Sequence, residues 1–160
     1  MEKEKFFYEL ENQASKIDIN LTQNHLNKFY SYMNLLIDWN TKINLTAITE
    51  PEEIIKKHFI DSLTISKYIE NNSKLIDVGT GAGFPGIPIK IYKEDVKVSL
   101  LDALNKRLNF LNEVIEENKL ENIETLHFRA EEIGRNKKFR EKYDIATSRA
   151  VAQLNILAEY

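Results

Sequence analysis

The residues best suited to bind a ligand lie in a glycine-rich turn, "LIDVGTGAGFPGIP" (75–88), where an apolar run enters four closely spaced glycines. Gly81, Gly83 and Gly86 fit the GxGxxG dinucleotide pattern, whereas Gly79, Gly81 and Gly83 fit a GxGxG loop. Glycines let the backbone approach a ligand closely, and a helix that follows supplies unpaired N–H groups at its N-terminus. The turn therefore predicts a site for an adenosine-type ligand, with a plain strand-to-helix turn as the alternative.

Two acidic residues bear on the identity of that ligand. Asp102 ends the second predicted strand, nineteen residues after Gly83, where a carboxylate can accept hydrogen bonds from ribose hydroxyls. Asp77 stands before the glycines, where it would repel a pyrophosphate but tolerate the sulfonium and ammonium groups of S-adenosylmethionine. The prolines of "FPGIP" (84–88) also remove two N–H donors that a pyrophosphate could use. These features favour S-adenosylmethionine over NAD, and NAD-dependent oxidoreduction stays a distant alternative.

Composition limits the possible functions. The 160 residues are 42% hydrophobic and 29% charged, which is typical of one globular domain with a real core. The absence of cysteine excludes disulfides, thiolate zinc sites and a cysteine nucleophile. The net charge of −3 gives no general support for nucleic-acid binding, so any RNA site must be a local patch. His25 and His127 lack partners at metal-ligand spacing, and no metal site is expected.

Two architectural regions are predicted. Residues 1–72 read as a helical N-terminal cap, with one helix carrying Phe6, Phe7, Leu10 and Ala14 on one face, a second capped by Thr22, and a third capped by Thr49. A short extended piece is expected at 43–45. Residues 73–160 alternate strands with helices, which predicts a parallel sheet with right-handed crossovers; the strands are expected at 75–78, 96–101, 122–128 and 143–148.

The ends of the chain carry further expectations. "VAQLNILAEY" (151–160) reads as the start of another helix, and the fourth strand would be expected to have a neighbour on its far side. A longer natural polypeptide, with further C-terminal strands, is therefore expected. No apolar run approaches the roughly 18 residues of a membrane span, and no signal peptide is visible, so a cytoplasmic protein is expected.

Several motifs in one order resemble a known family. "LIDVGTGAGFPGIPIKI" (75–91) is similar to motif I of class I S-adenosylmethionine-dependent methyltransferases. With "NLTAI" (44–48), "KKHFIDSL" (56–63), "LLDALNKRLNFL" (100–111) and "DIATSRAVAQL" (144–154), the chain resembles the RsmG family, also called GidB. The resemblance implies a Rossmann-like, mainly parallel α/β fold with flanking helices and a helical cap. It also implies methyl transfer from S-adenosylmethionine to N7 of a guanine in 16S ribosomal RNA.

The resemblance also implies partners and roles for individual residues. The partner would be 16S ribosomal RNA or the small ribosomal subunit, with no membrane involved, and the protein would be a monomer. Gly79 and Phe84 would line the cofactor loop, and Arg149 would lie beside the methionine end and the incoming base as the catalytic residue. The cofactor-binding residues it implies are Gly79, Phe84, Asp102, Ala103, Leu104, Ala130, Glu131 and Arg149.

The chemistry of the acceptor can be approached from what the chain lacks. Methylation of a pyrimidine C5 usually takes a cysteine, and exocyclic amines usually take an Asn/Asp-Pro-Pro-aromatic motif, where this chain has "TSRA" (147–150). Guanine N7 has a lone pair and no proton to lose, so it needs no general base. Both absences fit a ring nitrogen, but they also fit small-molecule acceptors, and a non-catalytic nucleotide-binding module remains a third alternative.

Two groups of residues have open roles. His58 is either a contact to substrate or phosphate, or, more simply, a packing residue that ties the cap to the sheet, a role Asp61 and Ser62 could share. A candidate RNA patch consists of basic residues that could equally be a solvated surface. Its members are Lys56, Lys57, Lys106, Arg107, Arg135, Lys137, Lys138, Arg140 and Lys142.

Overall fold

A four-stranded parallel sheet forms the centre of the protein. The computed structural model describes residues 1–149, and the sheet has the order β3-β2-β1-β4. Its strands are β1 (Lys74–Val78), β2 (Lys97–Asp102), β3 (Ile123–His127) and β4 (Ile145–Ser148). Every neighbouring pair is parallel, as predicted, and the strand bounds differ from the predicted ones by one or two residues. The helix expected at 151–160 lies outside the described residues.

The sheet order brings the carboxyl ends of β1, β2 and β4 to one edge, where open parallel sheets bind ligands. The connecting helices are α5 (Gly86–Tyr92), α6 (Asn105–Glu117) and α7 (Ala130–Arg135). The last of these was not predicted, because its six residues are too few to show helical periodicity. The N–H of Arg129 donates to Glu132 at 3.1 Å and so helps to start α7.

The N-terminal residues fold into helices that pack on the α/β layer. They are α1 (Lys3–Ser15), α2 (Gln23–Asn40), α3 (Pro51–Ile54), a π-helical segment (Ile55–Ile60) and α4 (Asp61–Leu63), followed by a 3₁₀ turn (Ser66–Tyr68). Three of these pieces, α3, the π-helical segment and α4, follow one another without a break. We call them together the 51–63 segment. None of the helices within residues 1–149 combines the length and apolar character needed to cross a membrane.

One local prediction for this region needs correction. Thr22 caps α2 as predicted, accepting from the N–H of His25 at 3.2 Å. The third helix is preceded by Glu50, not Thr49, because Pro51 occupies the first helical position and the residue before a proline is extended. Residues 41–50 form turns and loop, as predicted, with no strand at 43–45.

One hydrophobic cluster joins the helical region to the sheet. It contains Phe6, Phe29, Tyr32 and Phe59 from the N-terminal helices and Phe84 and Phe110 from the α/β part, all buried. Most adjacent rings in this cluster are tilted or edge-on, as aromatic pairs prefer, and Tyr32 stacks on Phe110. The N-terminal helices therefore hold the back of the glycine loop, while the boundary between cap and α/β domain at residue 72 stays a prediction.

Candidate functional site

The glycine loop follows β1 at the carboxyl edge of the sheet. Gly79, Gly81 and Gly83 have φ angles of 68°, 61° and 98°, in the left-handed region that glycine tolerates best. The N–H of Thr80 donates to the carbonyl of Leu101 at 3.0 Å, which ties the loop to β2. The loop is therefore a fixed turn whose shape depends on its glycines.

Tyr32, on α2, supports this loop from behind, and the sequence did not single it out. Its buried hydroxyl donates to the carbonyl of Ala82. A Cβ on Gly83 would lie 2.7 Å from that hydroxyl oxygen, so the loop and the tyrosine are in close contact. The N-terminal helical region thus takes part in shaping the candidate site.

Asp77 does not lie where the sequence argument required. Side chains alternate along a strand, and in β1 Ile76 and Val78 face the α7 side while Asp77 faces α5. Its Oδ2 accepts from the hydroxyl of Thr80 at 2.7 Å and the N–H of Gly86 at 2.9 Å. The carboxylate therefore braces the turn from inside and does not line the cavity described below, so direct contact between Asp77 and a ligand is not part of the site, and the repulsion of a pyrophosphate stays a prediction.

The surroundings of Asp77 disfavour a negative charge on its carboxyl group. The side chain is fully buried, and Oδ1 has no hydrogen-bond partner among residues 1–149. Burial raises the pKa of the Asp77 carboxyl to about 6, although the bonds from Thr80 and Gly86 oppose the rise. This group is therefore a structural carboxyl that titrates at mildly acidic pH.

Asp102 closes the loop against the end of β2. Its Oδ2 accepts from the N–H of Gly81 at 3.0 Å and from Arg107 at 3.3 Å, and its Oδ1 accepts from the N–H of Leu104 at 2.9 Å. A carboxylate offers about four acceptor positions, so these three donors leave room for a ligand hydroxyl. Asp102 can therefore fix the loop and contact a ligand at the same time.

A cavity of about 670 Å³ opens between the glycine loop and the ends of β2 and β3. All eight residues expected to bind the cofactor line it: Gly79, Phe84, Asp102, Ala103, Leu104, Ala130, Glu131 and Arg149. Leu104 is 53% exposed at the rim, so most of its side chain is not packed in the core. The sequence missed other lining residues, including Leu45, Thr46, Phe128 and Arg129.

Arg149 extends from the end of β4 to the 51–63 segment. Its NH1 donates to Asp61 Oδ2 and to the carbonyl of Lys57, both at 3.1 Å, and its NH2 lies 2.9 Å from His58 Nδ1. The guanidinium carbon also lies 5.0 Å from the centroid of the Phe84 ring, within range of a cation–π contact. Arg149 lines both this first cavity and a second one of about 1030 Å³ next to β4 and α7.

His58 links Arg149 to the loop that precedes the 51–63 segment. Its Nε2 lies 2.9 Å from Thr46 Oγ1, and its ring stacks on Phe84 with centroids 4.3 Å apart and planes at 11°. Burial and the positive charge of Arg149 lower the pKa of His58 to about 4, so the imidazole is neutral at pH 7. The packing interpretation of His58 is thus supported, and it involves the site directly.

Asn40 fixes the position of Thr46 in turn. Its Oδ1 accepts from the N–H groups of Leu45 and Thr46 at 2.9 and 3.0 Å, and its Nδ2 donates to the carbonyl of Thr46 at 3.0 Å. This pattern of side-chain-to-backbone bonds holds the "NLTAI" loop at the cavity wall. Ser62, by contrast, donates at 2.5 Å to the carbonyl of His58 within its own helix.

The basic residues proposed as an RNA patch do not form one cluster of solvated charges. Lys57 pairs with Glu53, Arg107 with Asp102, and Arg140 lies 3.8 Å from Glu141. Lys56 and Lys106 are exposed, and so is most of the basic stretch 135–142, of which Arg135 and Arg140 border the larger cavity. Three of these charges are therefore close to carboxylates, and of the whole candidate patch only Arg107, Arg135 and Arg140 line the two cavities.

The sheet order, the glycine loop after β1 and the carboxylate at the end of β2 define a Rossmann-like fold of the class I methyltransferase type. Residues 25–160 match the family described as GidB, rRNA small subunit methyltransferase G, and the chain belongs to that family.

Curated relatives agree with this assignment. The chain is 55% identical to the ribosomal RNA small subunit methyltransferase G of Desulforamulus reducens, over 94% of this chain and 64% of that protein. It is also 55% identical to the protein of that name from Clostridium botulinum strain 657, over 97% and 66% of the two lengths. The chain therefore spans less than two thirds of the length of these relatives.

A solved structure of coclaurine N-methyltransferase bound to N-methylheliamine and SAH overlays on 91% of this chain and 48% of its own, with a TM-score of 0.47 and 12% identity. The family assignment does not depend on that overlay.

Proposed function

We propose that the protein transfers a methyl group from S-adenosylmethionine to N7 of a guanine in 16S ribosomal RNA. The observation that carries the proposal is the convergence of all eight expected residues on one cavity beside the glycine loop. Family membership and relatives named ribosomal RNA small subunit methyltransferase G support the same activity.

The residues that line the cavity suit S-adenosylmethionine. The positive-φ glycines at 79, 81 and 83 leave the backbone open to close approach, and Asp102 can accept from a ribose hydroxyl. The exposed side chain of Leu104 offers an apolar surface for an adenine ring. When bound, the cofactor supplies an activated methyl group on a sulfonium, and the protein has to align the acceptor with it.

A ring-nitrogen acceptor fits the side chains at the cavity. Guanine N7 attacks through a lone pair and needs no base, and the chain has no cysteine for covalent catalysis. His58 lines the cavity with Nδ1 bonded to Arg149 and Nε2 to Thr46, so it is engaged in structure instead of proton transfer. The remaining task of the protein is to place the base, and Arg149 is the residue we propose for that task.

The decisive experiment uses the complete natural protein with labelled S-adenosylmethionine and small ribosomal subunits, or 16S RNA, from cells that lack this methylation. We expect label on a guanine N7, and we expect Arg149→Met to reduce the transfer strongly. Label on metabolites instead of RNA would favour a small-molecule methyltransferase. Binding of cofactor without any transfer would favour a non-catalytic module.

Cofactor choice can be tested separately by thermal unfolding. A ligand at one hundred times its dissociation constant stabilises the folded state by about 2.7 kcal/mol. S-adenosylhomocysteine should raise the unfolding temperature and NAD should not, and the reverse result would contradict the proposed cofactor.

We also propose that the protein acts as a monomer in the cytoplasm, on ribosomal RNA and without a membrane. Lys56 and Lys106 are exposed basic residues and are candidates for phosphate contacts. Replacing each by alanine should weaken RNA binding and reduce its salt dependence, whereas cofactor affinity should not change.

A further inference from the structure

The guanidinium of Arg149 is held by groups that all belong to the 51–63 segment. Asp61, His58 and the carbonyl of Lys57 contact it, although they lie 88 to 92 residues away in the sequence. Thr46 holds the far side of the His58 ring. A single arginine at the end of β4 is thus oriented by a part of the chain that contributes nothing to the sheet.

These contacts leave a defined part of the guanidinium for another molecule. Arginine has five N–H donors, and NH1 directs two of them to Asp61 and Lys57 while NH2 directs one to His58. Among residues 1–149, the structure shows no acceptor for the N–H of Nε or for the second N–H of NH2. These remaining donors can bind the carbonyl oxygen of a guanine or a phosphate oxygen, and both arrangements leave the N7 lone pair free to attack the methyl group.

The protonation state of His58 is set by these contacts. Because arginine can only donate, Nδ1 of His58 accepts from Arg149, so the ring proton lies on Nε2 and can donate to Thr46. The ring also lies flat on Phe84, and Phe84 in turn lies under the guanidinium. A side chain at position 58 that has no acceptor in place of Nδ1 would remove the hydrogen bond that the NH2 group of Arg149 makes there.

Asp61 adds an electrostatic contribution. The methyl donor is a sulfonium, and a guanine methylated on N7 is also a cation, so an uncompensated arginine beside them would oppose both binding and reaction. The Asp61 carboxylate at 3.1 Å from Arg149 NH1 reduces that opposition. Asp61 is 57% exposed on its side chain, so its removal need not disturb the core.

We propose that His58 and Asp61 are positioning residues for methyl transfer: they hold Arg149 between the two cavities so that its two remaining donors face the acceptor base. This inference rests on the proposed methyltransferase function and adds the residues that orient its acceptor site. Neither residue contacts the reacting atoms in this scheme, and each acts through Arg149.

The first test compares single-turnover transfer and cofactor affinity in the complete natural protein. His58→Leu should slow transfer about 10- to 100-fold, as expected when a positioning group shifts by about 1 Å. His58→Gln keeps an acceptor for Arg149 and should recover most of that loss. The dissociation constant for S-adenosylhomocysteine should rise by less than the transfer rate falls, because the loop glycines and Asp102, which form no hydrogen bond with His58 in the described part of the chain, supply the other cofactor contacts.

Two matched controls separate positioning from simple destabilisation. Ile55→Val loosens the same segment without touching Arg149, and Glu53→Gln removes a charge from the same segment. Both controls should transfer at the wild-type rate well below their unfolding temperatures, whereas Asp61→Asn should be slower. Equal rates for Asp61→Asn and Glu53→Gln would contradict the role of Asp61.

The second test asks whether His58 acts through Arg149. In an Arg149→Met background, adding His58→Leu should cause no further loss of transfer rate. An additional loss as large as in the wild-type background, or a His58→Gln variant as slow as His58→Leu, would overturn the inference. Failure of the wild-type protein to methylate RNA is a different result, and it would refute the proposed function instead.

Discussion

The hydroxyl of Tyr32, in the middle of α2, donates a hydrogen bond to the carbonyl of Ala82 in the glycine loop. Burial raises the pKa of the Tyr32 phenol well above its ordinary range, so the hydroxyl keeps its proton and remains a donor. Tyr32 and Ala82 lie fifty residues apart in the sequence. Their hydrogen bond therefore joins the helical region to the loop that would meet the cofactor.

Replacing Tyr32 with phenylalanine should therefore affect both stability and ligand binding. The ring still packs, but the buried carbonyl of Ala82 loses its donor, which typically costs about 1–3 kcal/mol. Urea unfolding should show that loss, and calorimetry should show weaker binding of S-adenosylhomocysteine. Tyr30→Phe is the control, because the Tyr30 hydroxyl donates to the carbonyl of Met1, far from the loop. Unchanged affinity in Tyr32→Phe would mean that the loop does not depend on this bond.

Two glycines of the loop allow backbone strain to be separated from steric contact. Gly81 has a φ of 61° and open space at its Cβ position, with the nearest atom at 4.0 Å. Gly83 has a φ of 98°, and an added Cβ would lie 2.7 Å from both Tyr32 and Ile87.

Alanine at either position should cost about 1–2 kcal/mol for the left-handed backbone. Gly83→Ala should cost about 1–3 kcal/mol more, because the packed side chains around it have to move. The difference between the two free energies of unfolding is the measured quantity. Equal values would show that Tyr32 and Ile87 can retreat without cost.

Short-range patterns were sufficient for much of the fold. The alternation of strands and helices after residue 73, and the helical face of Leu108 and Leu111 in α6, come from nearest-neighbour periodicity and were read correctly. The position of Asp102 at the end of β2 followed from the same pattern. By contrast, the six-residue α7 and the π-helical segment 55–60 carry no such period.

The orientation of side chains within the candidate site could not be read in this way. Periodicity indicates that Tyr32 and His58 are buried, but it does not identify their partners. Tyr32 bonds Ala82, fifty residues away, and His58 bonds Arg149, ninety-one residues away. The orientation of Asp77 was hidden for the same reason, because a shift of one residue along a strand decides whether a side chain faces a cavity or a helix. Those choices are made by tertiary packing.

The stability of the protein should depend on pH through His58. Burial and Arg149 lower its pKa from 6.5 to about 4, and Asp61 is the nearby carboxylate that opposes this shift. Between these values the unfolded chain binds a proton that the folded state excludes, so the contribution of His58 is full above pH 6.5 and is lost as pH falls towards 4. By pH 5 the loss should reach about 2 kcal/mol.

The measurement is the difference in free energy of unfolding between the wild type and His58→Gln at several pH values. This difference removes the opposite effect of Asp77, whose pKa is raised from 3.8 to about 6 and whose contribution is lost as pH rises through 6. We expect a constant difference above pH 7 and a decrease below 6.5. A difference that does not change with pH would show that His58 protonates freely in the folded protein.

Leu104 allows the proposed adenine contact to be tested without harm to the fold. It is 53% exposed at the cavity rim and precedes α6, so Leu104→Ser removes apolar surface from the cavity but little from the core. If an adenine ring covers this side chain, its replacement should lose about 0.5–1.5 kcal/mol of binding, or roughly a 2- to 12-fold rise in the dissociation constant for S-adenosylhomocysteine. Tyr68→Ser is the matched control, because Tyr68 is 73% exposed and does not line the cavity. Equal affinities in the two variants would place the adenine elsewhere in the cavity.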